Sequence, residues 1–368
     1  MRKIPFILAG LLAAGAGLAQ ETPKPAAQAA APPPASEIRQ CGICHGRREF
    51  KVVLPDGTVR PLYVNAEVLK KSVHARFQCV DCHADITKIP HQKGLAQVNC
   101  QRCHFPGNPV GAPEDVNYEG YTLSIHGRLR AAGNPKAPLC QDCHGTHYIL
   151  KPSDPASTVN KLNVPGTCGK CHLKVASEYD RSVHGVALLR EHNLDAPSCV
   201  NCHGEHEILP PKDNASEVSA THIPETCSHC HGALGFSEKY GIPVNPVTTF
   251  KHSFHGIANE LGSQRVANCA SCHTAHDVLP PDDPRSSVNP ANIPETCGKA
   301  GCHPGANANY ARGHFHVDPS QKSSGIIYWV ALFFKILTIS TMIGLIIHIL
   351  LDLVKKLRGR HEGASHSE

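Results

Sequence analysis

Two stretches of this chain are continuously apolar, and the region between them is punctuated. The first, Ile4–Ala19, comes after Arg2 and Lys3 and ends at Gly17-Leu18-Ala19. A basic start, an apolar run and small closing residues predict a secretory signal peptide over 1–19. An uncleaved anchor is the alternative, and either one exports the long region beyond it. The second stretch, 325–353, reads GIIYWVALFFKILTISTMIGLIIHILLDL. It exceeds the ~20 residues that a membrane-crossing helix needs. Tyr328 and Trp329 suit one interface, and Lys355, Lys356, Arg358 and Arg360 lie past the other. The positive-inside rule makes 354–368 a cytoplasmic basic tail and puts the bulk of the chain outside. Within the span, Lys335 snorkels and His348 sits at the interface on the simpler reading. The sharper reading gives His348 a b-type haem or a quinol, which needs a partner helix for a second ligand.

Residues 20–36 form a Pro/Ala-rich linker with no apolar periodicity. From 37 to 320, prolines and glycines break up long elements; the whole chain has 30 of each. The pattern predicts short helices, long ordered loops and almost no sheet. Aromatic residues are only 5% of the chain, whereas there are 18 Cys and 26 His. Something other than side chains is expected to fill the interior.

The cysteines say what. CGICH (41–45), CVDCH (79–83), CQRCH (100–104), CQDCH (140–144), CGKCH (168–172), CVNCH (199–203), CSHCH (227–231) and CASCH (269–273) are eight copies of C-x-x-C-H. With CGKAGCH (297–303) they use all 18 cysteines and leave none for a disulfide. Two thiols at this spacing reach the two vinyl groups of one haem, and the next His falls under its iron. Zinc, redox and disulfide readings of C-x-x-C do not need the His repeated each time. The expected covalent ligands are Cys41, Cys44, Cys79, Cys82, Cys100, Cys103, Cys140, Cys143, Cys168, Cys171, Cys199, Cys202, Cys227, Cys230, Cys269, Cys272, Cys297 and Cys302. The proximal ligands are His45, His83, His104, His144, His172, His203, His231, His273 and His303.

The motifs sit in a longer repeat. One unit runs SIHG (124–127), CQDCHGTHYILKP, VPGTCGKCH; the next SVHG (182–185), CVNCHGEHEILPP, IPETCSHCH; the third SFHG (253–256), CASCHTAHDVLPP, IPETCGKAGCH. SVHA (72–75) opens an abbreviated unit. The region is thus one leading site and four two-haem repeats, and RGHFH (312–316) starts a fifth that carries no motif. CGKAGCH is the second site of its unit with Ala300 and Gly301 inserted. Both are small, so the loop can bulge while both thiols still reach the vinyls.

Met occurs only at Met1 and Met342, outside the exported region. His/Met ligation is excluded there, which suggests low potentials. The expected distal ligands are His74, His126, His184 and His255 from the S-x-H positions, and His147, His206 and His276 three residues after a proximal His. His91 serves the short unit, and His316, or else His314, closes the tail. Residues three apart lie on one side of a turn, so each C-H-x-x-H pair must serve two neighbouring haems. His192, His222, His229 and His252 fall off the pattern and are not expected to ligate.

Nine haems in about 284 residues leave about 32 residues each, so the haems themselves form the core. Between 37 and 320, 27 Lys and Arg balance 27 Asp and Glu, which gives no sign of nucleic-acid binding. Basic side chains there suit haem propionates.

The S-x-H-G…C-x-x-C-H-G-x-H…I-P-E-T-C-x-x-C-H pattern, over about 70% of the chain, resembles the membrane-anchored multihaem cytochrome c family of bacterial anaerobic respiration. It is similar to the exported nine-haem part of quinol-oxidising cytochrome b/c complexes. The small quinol-dehydrogenase cytochromes differ, because their anchor is N-terminal. The resemblance implies a fold of short helices around haems with one C-terminal transmembrane helix. It implies a periplasmic domain on a bacterial inner membrane, fed by an integral-membrane cytochrome b-type or quinol-oxidising subunit. The acceptor would be a periplasmic or outer-membrane cytochrome. A terminal reductase of nitrite, hydroxylamine or sulfur oxyanions is the alternative, and the CGICH site, with no His partner nearby in sequence, is the candidate open iron.

Overall fold

The computed structural model describes residues 41–112, 116–233, 235–242, 246–299, 301–313 and 315–364. The predicted signal peptide and linker, Ala300 and His314 lie outside them. The described chain divides into two compact units, 41–63 with 77–98, and 64–76 with 99–364.

The smaller unit holds two motif helices, Cys41–His45 and Cys79–Cys82, and the one sheet among the described residues. That sheet is a hairpin of Lys51–Val53 against Val59–Pro61, antiparallel, with Val52 opposite Arg60. It joins around Gly57 at φ 81°, a conformation that favours glycine.

The larger unit is built from short helices at fixed intervals. First and second motifs of a repeat start 28 residues apart in all three full units: Cys140 to Cys168, Cys199 to Cys227, Cys269 to Cys297. The spacer between them is tied by the same side chains each time. Ser157, Ser216 and Ser286 donate to the carbonyls of Leu150, Leu209 and Leu279 at 3.1–3.2 Å. Thr167, Thr226 and Thr296 donate to carbonyls nine residues back at 2.6–2.7 Å. Asn163 and Asn292 donate to the Ser157 and Ser286 carbonyls at 2.9 Å, and His222 does the same job on Ser216 at 3.0 Å. His222 is therefore a structural stand-in for asparagine.

The S-x-H-G signature also has a local cause. Ser124, Ser182 and Ser253 cap the helices after them, accepting from Gly127, Gly185 and Gly256 at 3.0–3.1 Å. Those glycines press on the preceding turn: a Cβ would sit 1.9–2.0 Å from the carbonyls of Tyr121, Tyr179 and Phe250. In SVHA the Gly is Ala75, and no helix comes after the serine.

Apolar side chains alone make no large core. Among the described residues nine hydrophobics are buried beside eight serines, and the buried apolar cluster is Tyr179, Leu188 and Ala196. Buried Ser157, Ser216 and Ser286 are satisfied by the spacer bonds instead. At the C-terminal end, Ile326–Ala364 is one helix of 39 residues. Within its first 32 residues an 18-residue stretch reaches mean hydropathy 2.3, long and apolar enough to cross a membrane.

Candidate functional site

Each motif presents its histidine by one turn of helix. Prolines at the start of the second-motif helices, Pro165, Pro224 and Pro294, lose no intrahelical bond there. First-motif helices are capped from inside the motif. The residue before each second cysteine, Asp81, Asp142, Asn201 or Ser271, accepts from the backbone N–H preceding the first cysteine at 2.7–3.1 Å. Sequence reasoning missed these caps, although a polar acceptor recurs at that position.

The histidines then meet in pairs. His45 faces His91, His144 faces His206, His203 faces His276, and His273 faces His316. His104 faces His74, His172 faces His126, His231 faces His184, and His303 faces His255. Every pair joins one motif histidine to one expected distal histidine. Ring centroids are 5.8–6.2 Å apart. Two imidazoles on one metal, with metal–nitrogen bonds of about 2 Å and about 1.1 Å more to each ring centre, stand about 6 Å apart. His83 and His147 complete the eighteen expected ligands, and His147 also lies edge-on to Tyr148.

The pairs fall into two kinds. First-motif sites, with the leading one, have rings 4–31° from parallel. Second-motif sites have rings crossed by 47–70°. The kinds also differ in connectivity. Second-motif histidines meet the S-x-H residue of their own repeat. His144 and His203 instead meet a histidine of the next repeat, brought there by backbone bonds from Ile125 N–H to the Ile208 carbonyl at 2.8 Å and from Val183 N–H to the Val278 carbonyl at 2.9 Å.

Several rings are held by the nitrogen that faces away. His45 Nδ1 donates to the Leu62 carbonyl at 2.7 Å, and His91 Nδ1 to Gln92 at 2.9 Å. The Thr249 hydroxyl, donating to the Pro246 carbonyl, accepts from His316 Nδ1 at 2.9 Å. Fixing Nδ1–H leaves Nε2 as the lone-pair donor. Burial holds His74, His126, His203, His231, His255, His273 and His316 below the usual imidazole range. Burial, then His231 opposite, pushes His184 down to about 4. Neutral imidazole is the metal-binding form.

All eighteen cysteines are free of disulfides. Cys168 hydrogen-bonds Cys199, and Cys227 hydrogen-bonds Cys269, so the second motif of one repeat touches the first motif of the next. Cys41 and Cys79 do the same in the smaller unit. Among the described residues no three His, Cys, Asp or Glu gather as a metal cluster. Two thiols and, at eight of the nine sites, two opposed imidazoles are a donor set that fits c-type haem.

The seven-residue variant keeps the geometry of the others. In ordinary motifs the His N–H donates to the carbonyl of the first Cys, as His172 to Cys168 and His203 to Cys199 at 3.0 Å. His303 donates to Cys297 at the same 3.0 Å, across the insertion. Gly301, at φ 86°, makes that return turn. Of the tail alternatives, it is His316 that lies opposite His273. His91, expected as a distal ligand, stands against His45 of the leading motif, which has no other His nearby in sequence.

Over 319 residues the chain is 23% identical to the high-molecular-weight cytochrome c of Nitratidesulfovibrio vulgaris (strain Hildenborough), covering 72% of this chain. It spans 53%, about half, of that relative's length. No family model and no solved structure matches it.

Proposed function

We propose that this chain is a membrane-anchored, exported electron carrier with nine covalent c-type haems. The observation that carries the reading is the pairing of motif and distal histidines at metal-bridging separation. The likeness to a high-molecular-weight cytochrome c supports it. Each haem, when bound, supplies a one-electron iron couple. The chain's own part is to hold each group by two thioethers and two imidazoles, so that no iron face is left for substrate. Methionine is absent from the exported region, which keeps potentials low. Thiol contacts between successive motifs support a series of neighbouring sites within the larger unit.

Helix Ile326–Leu357 would anchor the series in a bacterial inner membrane with its haem domain in the periplasm. Electrons would come from the quinol pool through an integral-membrane cytochrome b-type subunit and leave to a periplasmic or outer-membrane cytochrome. The reductase alternative needs an open iron, and His91 stacks opposite the leading motif that was its candidate. Membrane vesicles containing the chain and its partner should reduce the haems on adding a quinol, whereas the purified chain should not. Steady turnover of nitrite or hydroxylamine by the purified, pre-reduced chain would make it an enzyme instead.

A further inference from the structure

The S-x-H helices of the repeats occupy equivalent places, yet the last one has a different surface. Aligned on Ser124, Ser182 and Ser253, Arg128 and Val186 correspond to Ile257, and Ala132 and Arg190 to Leu261. In the first full unit Arg128 pairs with Asp213 of the next repeat at 3.4 Å. The last such helix is Phe254–Glu260, and residues 304–368, beyond its own unit's two motifs, hold no further C-x-x-C-H. There Phe254 is 80% exposed, Ile257 50% and Leu261 84%. Spaced i, i+3 and i+7, the three share one helical face.

We propose that Phe254, Ile257 and Leu261 form a membrane-seating face that dips into the outer leaflet beside the anchor helix. The inference rests on the reading of Ile326–Leu357 as a membrane anchor. The chain itself limits how far away the bilayer lies. Thr249, on helix Pro246–Lys251 just before this one, holds His316, and His316 is ten residues from Ile326. Ten residues reach at most about 35 Å when fully extended. Asp318 shortens that reach by turning the segment on itself, accepting from Ser320 N–H at 2.9 Å and from Ser324 Oγ through its carbonyl at 2.6 Å. Three side chains are too small a patch for a protein partner, since stable interfaces bury roughly 1,200 Å² or more. A shallow apolar face is enough for a bilayer surface when a covalent tether already holds it there. Phe254 also lies edge-on to the His255 ring, whereas Ile257 and Leu261 are about one and two turns beyond it.

The test uses the full-length holoprotein in phosphatidylcholine/phosphatidylglycerol vesicles that contain a lipid with a diazirine in its acyl chain. After illumination, peptide mass spectrometry should find lipid adducts on 254–261 and on 326–357. The equivalent helices 125–132 and 183–190 should carry none. The Ile257→Ser/Leu261→Ser variant should keep its haem content and lose most of the adduct on 254–261. Labelling of 326–357 alone overturns the seating face and leaves the anchor standing; labelling of neither overturns both. Loss of haem in the double variant would assign the face to covering a cofactor. A protein cross-link in place of the lipid adduct in native membranes would assign it to a protein partner.

Discussion

At the scale of single residues, three kinds of position matter, and only one is conspicuous in sequence. The C-x-x-C-H cysteines and histidines announce themselves by repetition. The S-x-H-G glycines are visible as a pattern, but their reason is steric: a methyl at Gly185 would meet the Tyr179 carbonyl at 1.9 Å. Gly185→Ala should therefore cost about 2 kcal/mol or more of stability, read as a lowered thermal midpoint. The caps Asp81, Asp142, Asn201 and Ser271 and the Thr249–His316 bond were not legible, because they depend on where backbone N–H groups end up. Gly301 tests the inserted motif. At φ 86° a branched side chain is strained, so Gly301→Val should lose one haem by intact-protein mass while the other sites load. His229→Ala, off the pattern, should lose none. His222→Asn should preserve both haem content and stability, since asparagine makes that bond in the neighbouring repeats.

At the scale of elements, the repeat explains why ligands are distributed as they are. Three residues along a turn cannot close on one iron, so each C-H-x-x-H turn feeds two sites, and a histidine in one repeat completes a site in the repeat before it. The spacing makes that exchange necessary; the direction of exchange came from the ring pairs His144–His206 and His203–His276 and the backbone bridges at Ile208 and Val278. His206→Ala should accordingly open the site at Cys140–Cys143, in the preceding repeat, whereas His184→Ala should open its own repeat's second site. Carbon monoxide binding to the reduced variants, with peptide-level haem mapping, checks which site opens. The two ring geometries should also appear in ferric EPR. Near-parallel imidazoles split the iron d orbitals and give rhombic low-spin signals, while crossed rings leave them closer in energy and give signals with a large maximal g value. Both classes are expected together, because rings 4° and 70° from parallel occur in one chain. A single class would contradict the ring geometry.

At the scale of the whole molecule, short helices tied by serine, threonine and asparagine bonds leave little apolar interior. Nine buried hydrophobics among the described residues are a small core for a 368-residue chain. Composition anticipated this, through 5% aromatics and 18 cysteines, and the long apolar segment anticipated the C-terminal helix. The small hairpin at 51–61 was not anticipated, since its strands are three residues each and mostly exposed. Binding nine large apolar groups between paired histidines would give such a chain its missing interior, and closing both faces of each iron would make it a conduit rather than a catalyst. The most direct test is the spin state of the purified full-length holoprotein, by resonance Raman and EPR. Nine haems that are all six-coordinate and low-spin are predicted. A clear high-spin ferric fraction in the intact protein would contradict the account.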